Sequence, residues 1–212
     1  MKTDDLIAAL AADAKSVDMP ICRTLALAVF AGALGALLIF VLKIGIRPDF
    51  MAAFDNPRFV LKLALTLILF VAGLGLVWSV AKPGAVPHVW LVALATVPAT
   101  LAVASLAEMV IVPPGEWEYR LLTPNWLVCV ALIPLLAAAP LIALIVALRR
   151  GAPTNPVMAG AAAGLLAASI GATLYATHCQ SDSPLFVAVW YVLATGIVTV
   201  TGALLGHRFL RW

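Results

Sequence analysis

Long apolar stretches alternate with short polar ones along almost the whole chain. Six stretches are long enough to cross a bilayer, which takes about 20 predominantly apolar residues. They lie near 24–42, 60–80, 89–112, 125–148, 157–177 and 185–206. The connections between them are too short to hold a second domain. The pattern predicts an all-α membrane protein, a bundle of six transmembrane helices.

Composition excludes the water-soluble classes. Apolar residues make up 64% of the 212 residues and charged residues 11%, whereas soluble domains have about 25% charged residues. The Lys and Arg residues are scattered and form no stripe of the kind that nucleic acid requires. No nucleophile–base motif or phosphate-binding loop is recognisable in the sequence. We therefore expect contact with the lipid bilayer, no direct contact with nucleic acid, and no enzymatic activity.

The only long polar segment is at the N-terminus, which divides the chain into an N-terminal arm, residues 1–22, and a transmembrane domain, residues 23–212. The arm opens with acidic residues and lacks the basic region of a secretory signal, so we expect no signal peptide. Its apolar residues recur at helical spacing, which predicts a short amphipathic helix.

The arm carries four aspartates against two lysines, and its net negative charge disfavours adsorption to an anionic membrane surface. Asp4 and Asp5 suit the positive end of a helix dipole, and Leu6, Ile7 and Leu10 form the apolar stripe. Two interpretations remain open from these residues. Either the stripe binds a protein partner in a groove with a basic rim, or the helix folds back onto the bundle.

Lys and Arg residues near the spans predict the orientation, because they are in excess on the cytoplasmic side. An even number of spans places both termini on the same side. Eight of the 13 basic residues then lie on the side of the termini and five on the other. We expect both termini to be cytoplasmic.

Glycine and proline residues inside the spans indicate how the helices pack. Glycines four residues apart, Gly160 with Gly164 and Gly202 with Gly206, allow two helix backbones to approach closely in lipid. We expect this contact within one bundle rather than between copies of the chain. Prolines inside the spans are tolerated where neighbouring helices satisfy the freed carbonyls.

Ionisable residues inside the spans are scarce. Glu108 lies near the outer end of span three, and Lys62 lies about one turn inside span two. We interpret Lys62 as a side chain that snorkels to the interface. Such scarcity argues against ion-coupled transport, which requires ionisable groups facing a cavity at mid-span.

Two of the three cysteines are expected at a similar depth on the outer side. Cys129 lies about one turn into span four and Cys179 ends span five, so their sulfurs meet if these spans are adjacent. Cys22 lies on the opposite side. The pair could form a disulfide in an oxidising compartment or remain as two small buried apolar residues.

A third interpretation of Cys129 and Cys179 is a soft-metal site formed by their thiolates. His178, Asp182 or Glu108 would then complete the coordination shell as auxiliary ligands. We expect no resident cofactor, only a transient heavy-metal ion.

Several motifs together resemble the NrsF family, the six-span membrane anti-sigma factors of proteobacteria. The resemblance covers essentially the full length. It is carried by the opening residues 1–7, Gly45-x-Arg47-Pro48-Asp49, Asn56-Pro57-Arg58-Phe59-x-x-Lys62, Trp126-x-x-Cys129, and His178-Cys179 followed by residues 186–191.

The resemblance implies a function. Such proteins hold an extracytoplasmic-function sigma factor at the bacterial inner membrane and release it under heavy-metal or oxidative stress. Their sensing cysteines fall on Cys129 and Cys179, and their cytoplasmic arm on residues 1–22. The sigma-factor contact is then expected at Asp4, Asp5, Leu6, Ile7 and Leu10.

Two other function classes fit the same residues. One is a small metal or solute transporter or channel of the inner membrane, with Glu108, Cys129, His178 and Cys179 as ligands. The other is a membrane oxidoreductase that uses the cysteine pair, although the chain has no Cys-x-x-Cys motif.

Overall fold

The computed structural model describes residues 3–5, 7, 19–82, 88–124, 126–151 and 153–211. Six of its helices are long and apolar enough to cross a membrane. They are α1 (Ile21–Lys43), α2 (Pro57–Val80), α3 (His88–Ile111), α4 (Trp126–Leu148), α5 (Pro156–Ala176) and α6 (Pro184–Phe209). Shorter helices, Phe50–Ala53 and Trp117–Leu121, lie in the α1–α2 and α3–α4 connections. The predicted all-α fold with six spans is confirmed.

Helix length follows from bilayer thickness. The spans contain 21 to 26 residues, or about 32–39 Å at a rise of 1.5 Å per residue, enough for a hydrocarbon core of about 30 Å. α2 begins at Pro57, three residues earlier than predicted, because Asn56 caps it: its side chain accepts a hydrogen bond from the Arg58 N–H. Asparagine before proline is a favourable helix start.

The two ends of the bundle are distinct. The α1–α2, α3–α4 and α5–α6 connections meet at one end, which we call the cysteine end because Cys179 lies there; an ion pair between Arg47 and Asp182 joins two of these connections. The opposite end, the terminus end, holds the α4–α5 connection and the start of α1, where Gly151 faces Ile21. From residue 19 onward, all six acidic residues lie at the cysteine end: Asp49, Asp55, Glu108, Glu116, Glu118 and Asp182.

α5 forms the centre of the bundle and α3 lies at its edge. Of the residues in the apolar segment of α5, 67% are buried, compared with 11% in α3. α5 packs against α2, α4 and α6, which fits its high content of alanine and glycine. Spans four and five are thus adjacent, which is the condition under which Cys129 and Cys179 were expected to meet.

Glycines bring the backbones of α5 and α6 into direct contact. A Cβ atom on Gly160 would collide with the Gly202 carbonyl oxygen and the Gly206 backbone, and one on Gly164 with the Val198 carbonyl oxygen. The predicted packing within one bundle is confirmed. We call this contact the glycine seam.

Irregular backbone marks two further positions. Pro140 lies inside α4, where Gly32 of α1 has no side chain to hold the two backbones apart. Residues Val187–Tyr191 of α6 form a π-helical turn. Such a turn accommodates one extra residue and is frequent at functional sites.

The N-terminal arm is described only in part. Thr3–Asp5 and Ile7 are helical, and Asp4, Asp5 and Ile7 are exposed. Leu6 and Leu10, the other members of the predicted apolar stripe, lie outside the described residues. The division into arm and transmembrane domain therefore stays a prediction.

Candidate functional site

The two predicted sensor cysteines lie in one buried cluster at the cysteine end. Cys129 is in the first turn of α4 and Cys179 follows the end of α5; they are 0% and 2% exposed. Both are free thiols. Tyr175 and Tyr191 belong to the same cluster. Cys22, also a free thiol, is at the start of α1, near the terminus end.

Hydrogen bonds fix the backbone of Cys179 on both sides. Its N–H donates to the Tyr175 carbonyl at 2.9 Å. Its carbonyl accepts from Lys62 Nζ at 2.8 Å and from an Arg47 terminal nitrogen at 3.5 Å. The thiol itself points to the Ser181 carbonyl at 3.8 Å. The position of the thiol is thus set by residues that precede and follow it and by two cations from elsewhere in the chain.

Asp182 is the centre of one buried ion cluster. Lys62 Nζ donates to Asp182 Oδ1 at 2.5 Å, and Arg47 donates to Oδ2 at 3.1 Å. All three side chains are less than 10% exposed. The interpretation of Lys62 as a snorkelling side chain is wrong, because Lys62 is 1% exposed. Its ammonium donates instead to the Asp182 carboxylate and to the Cys179 and Ser181 carbonyls.

Arg47 extends this cluster to the surface. Its Nε and second terminal nitrogen donate to the two oxygens of Asp49, at 2.8 and 2.7 Å. The hydrogen bonds to Asp49, more than the charge of Asp182, raise the pKa of Arg47 above its ordinary value. The same bonds lower the pKa of Asp49 below its usual 3.8. The Phe59 ring lies 5.4 Å from both Arg47 and Lys62, which adds a cation–π contact to each.

Glu108 is the centre of a second ion cluster. Its Oε1 pairs with Arg120 at 3.1 Å and with Arg58 at 3.4 Å. Its Oε2 accepts from the Ser183 hydroxyl at 2.6 Å and from the Leu185 N–H at 3.1 Å. A carboxylate at the first turn of a helix satisfies a free N–H and interacts favourably with the helix dipole. Glu108 of α3 therefore caps α6.

The proposed auxiliary metal ligands have other partners. His178 Nδ1 lies 3.0 Å from the Gly45 carbonyl, and Asp182 and Glu108 are held in the ion clusters described above. Within the part of the chain that the structure describes, no three His, Cys, Asp or Glu side chains are placed to hold a metal ion. The coordination shell expected from sequence is not assembled, and a site of two thiolates at Cys129 and Cys179 stays a prediction.

Sequence reasoning missed the cations that surround the α5–α6 connection. Arg47, Arg58, Lys62 and Arg120 are far from residues 179–185 in sequence, and no local pattern pairs them with that connection. The available signal was the distribution of charge: from residue 19 onward, acidic residues occur beside Lys and Arg only in the segments that form the cysteine end.

Comparisons with known proteins agree over the whole chain. The profile of a family described as "Negative regulator of sigma F" matches residues 10–212. A "Probable anti-sigma-F factor NrsF" of Azospira oryzae is 34% identical, and an "Anti-sigma-F factor NrsF" of Caulobacter vibrioides is 36% identical. Each alignment covers 100% of this chain and 100% of the relative. No solved structure matches.

Proposed function

Because this chain belongs to the NrsF family of negative regulators of sigma F, we propose that it is a multi-pass membrane anti-sigma factor. It sequesters an extracytoplasmic-function sigma factor at the bacterial inner membrane and releases it when heavy-metal or oxidative stress is received at Cys129 and Cys179. The full-length likeness to two anti-sigma-F factors carries this proposal. These relatives are regulators, not enzymes.

The orientation follows from charge. Eight Lys and Arg residues lie on the side of the termini and five on the other, and such an excess is typical of the cytoplasmic side. The terminus end therefore faces the cytoplasm and the cysteine end faces the periplasm. In a cysteine-free background, Met51→Cys at the exposed Phe50–Ala53 helix is labelled by an impermeant maleimide in intact spheroplasts. Thr154→Cys at the terminus end is labelled only after lysis, and the reverse pattern would overturn the orientation.

The arm, residues 1–22, is the sigma-factor contact. Its aspartates, among them Asp4 and Asp5, offer a negatively charged helix to a basic surface, and a sigma factor has such a surface because it binds DNA phosphates. Leu6, Ile7 and Leu10 add the apolar contact that gives a helix affinity for a groove. Replacing these three residues by Asp should raise sigma-dependent transcription in unstressed cells. Unchanged repression would show that the stripe does not make the contact.

The sensing step is thiol chemistry at the cysteine end. In one form, the Cys129 and Cys179 thiols give two protons and two electrons to an external two-electron oxidant such as diamide, and a sulfur–sulfur bond forms. In the other, a soft cation such as Cd²⁺ displaces the two thiol protons and binds both thiolates. Either reaction joins the first turn of α4 to the end of α5.

The energy required is modest. A tenfold loss of sigma-factor affinity corresponds to about 1.4 kcal/mol of differential stability between two states of the bundle. A bridge between the Cys129 and Cys179 sulfurs therefore has to favour one of the two states by this amount.

Co-purification tests the function directly. The intact protein is captured from unstressed membranes and the bound proteins are identified; a sigma factor is expected, and its amount should fall after diamide or cadmium treatment. The double variant Cys129→Ser/Cys179→Ser should retain the sigma factor under both treatments, whereas Cys22→Ser should respond as the wild type does. A wild-type protein that captures no sigma factor overturns the proposed function, and a double variant that still releases it overturns the sensor role.

A further inference from the structure

We propose that Lys62 is a latch that holds Cys179 in place and connects chemistry at this thiol to helix α2. The inference deepens the proposed function and rests on it for the role of Cys179 as a sensor. It is carried by one observation: every hydrogen bond that the structure gives the Lys62 ammonium ends on residues 179–182.

The Lys62 ammonium is fully occupied. It has three protons, and it donates to the Cys179 carbonyl at 2.8 Å, to the Ser181 carbonyl at 3.5 Å and to Asp182 Oδ1 at 2.5 Å. Bulk solvent does not reach the ammonium, since the side chain is 1% exposed. An ammonium proton that lost its acceptor here would have no solvent to replace it, and unsatisfied buried charges are strongly unfavourable.

This arrangement couples two elements. When Cys179 is bridged to Cys129 or bound to a metal ion, its backbone has to adjust, and its carbonyl is only two bonds from Cα. Lys62 then either follows the carbonyl, which moves α2, or leaves it, which costs a buried hydrogen bond. Both outcomes change the position or the stability of α2 relative to α5.

α2 carries that change across the bilayer. It is a continuous helix from Lys62 to Val80, a span of about 27 Å. Near its far end, Gly75 packs directly under the indole of Trp90 in α3. A rigid helix with packed neighbours at both ends is the kind of contiguous element through which coupling passes.

A purely structural role would not require a lysine. Replacing a buried ion pair by apolar residues of similar volume is often neutral or stabilising. The charge-neutral pair Lys62→Met/Asp182→Leu should therefore fold, because it removes the ammonium and the carboxylate together. Arg47 keeps Asp49 as its partner in this variant.

The first test measures the thiol. In a background with Cys22→Ser and Cys129→Ser, the rate of Cys179 alkylation by a maleimide is measured in detergent. Lys62→Met/Asp182→Leu should raise this rate at least tenfold, because the Cys179 backbone loses its strongest hydrogen bond from outside the loop. Lys43→Met, which removes an exposed lysine at the same end, should leave the rate unchanged. An unchanged rate in the double variant overturns the latch.

The second test separates signalling from repression. In the otherwise wild-type chain, Lys62→Met/Asp182→Leu should keep sigma-dependent transcription low in unstressed cells and reduce its induction by diamide or cadmium at least tenfold. Full induction would overturn the latch. If the first pair fails to accumulate in membranes, Lys62→Gln/Asp182→Asn removes the same two charges with smaller changes in shape.

The two proposals fail in different ways. If the wild-type protein captures no sigma factor, the proposed anti-sigma function is overturned. The alkylation experiment still tests the latch in that case, because it requires no sigma factor. Normal capture with an unchanged alkylation rate removes the latch alone.

Discussion

Where α5 meets α6, glycines bring two backbones into contact, whereas at the cysteine end buried charges hold three connections together. The glycine seam depends on shape: Gly160 and Gly202 leave no room for a side chain. The cysteine end depends on directed ion pairs, in which Asp182 and Glu108 each receive two cations.

The difference shows which part of the bundle is suited to respond to a signal. The glycine seam is held by close backbone packing and contains no reactive or ionisable side chain. It therefore keeps α5 and α6 at a fixed distance from each other. Ion pairs and thiols at the cysteine end can be protonated, oxidised or rearranged, and small displacements there leave buried charges unpaired. Under the proposed function, the seam is the rigid part of the bundle and the cysteine end is the part that a signal alters.

Asp182→Ala should have the largest effect on stability. It leaves Lys62 and Arg47 buried without their shared carboxylate, and breaking a buried ion pair costs about 3–5 kcal/mol. The free energy of unfolding, measured in detergent by denaturant titration, should fall by this amount.

Asp49→Ala is the matched control, because Asp49 pairs with the same arginine but is 50% exposed. Asp49→Ala should lower the free energy of unfolding much less than Asp182→Ala does, because water screens an exposed ion pair. Equal losses for Asp182→Ala and Asp49→Ala would contradict the distinction between buried and exposed charges at this end.

Gly160→Ala should have the next largest effect. Its Cβ would meet the Gly202 carbonyl and the Gly206 backbone, and overpacking of this kind costs about 1–3 kcal/mol. Gly196→Ala in α6 provides the control, because nothing lies within 4 Å of its Cβ position. There the substitution should be neutral or stabilising, since alanine is the better helix former. The same denaturant titration distinguishes the two, and similar losses would show that the seam is not tightly packed.

Asn56→Ala should have a smaller effect. It removes the N-cap of α2, a loss of about 1 kcal/mol. Asn155→Ala removes the corresponding cap of α5 at the terminus end, where the side chain accepts from the Met158 N–H. Melting temperatures should fall by similar amounts, which would show that the 3.5 Å contact from Asn56 to Asp182 adds little. A far larger drop for Asn56→Ala would make Asn56 part of the ion cluster.

The smallest effect is expected from pH. Hydrogen bonds from Arg47 lower the pKa of Asp49 below 3.8, so this pair contributes stability above pH 3.8 and loses it as the pH falls through the lower pKa of the folded state. The difference in melting temperature between the wild type and Asp49→Asn should be present at pH 5 and shrink as the pH is lowered below 3.8. A difference that persists at the lower pH would mean that the charge of Asp49 is not what stabilises the loop.

The sequence predicted the spans well because hydropathy and length are local properties. α3 was expected at 89–112 and lies at His88–Ile111. Depth was predictable as well: Cys129 and Cys179, placed at one level by counting residues, do share a cluster.

Long-range pairing was not predictable in the same way. Lys62 and Asp182 are 120 residues apart, and the sequence around neither residue indicates that the other is its partner. The same holds for Glu108, whose contact with the Leu185 N–H depends on α3 lying beside the start of α6. Helix bounds follow from composition, whereas the partners of buried charges follow from which helices are neighbours.

The π-helical turn at Val187–Tyr191 has a consequence for α6 as a whole. One extra residue in a turn advances the helical phase by about 100°. The side chains that follow the turn are therefore rotated about the helix axis, relative to those in an uninterrupted α-helix. The first half presents Val187 and Tyr191 to the thiols, and the second half presents Gly202 and Gly206 to α5. Deleting a single residue within 187–191 would restore the regular α-helical phase and rotate one of these two faces out of its contact, so the length of this segment is constrained as well as its composition.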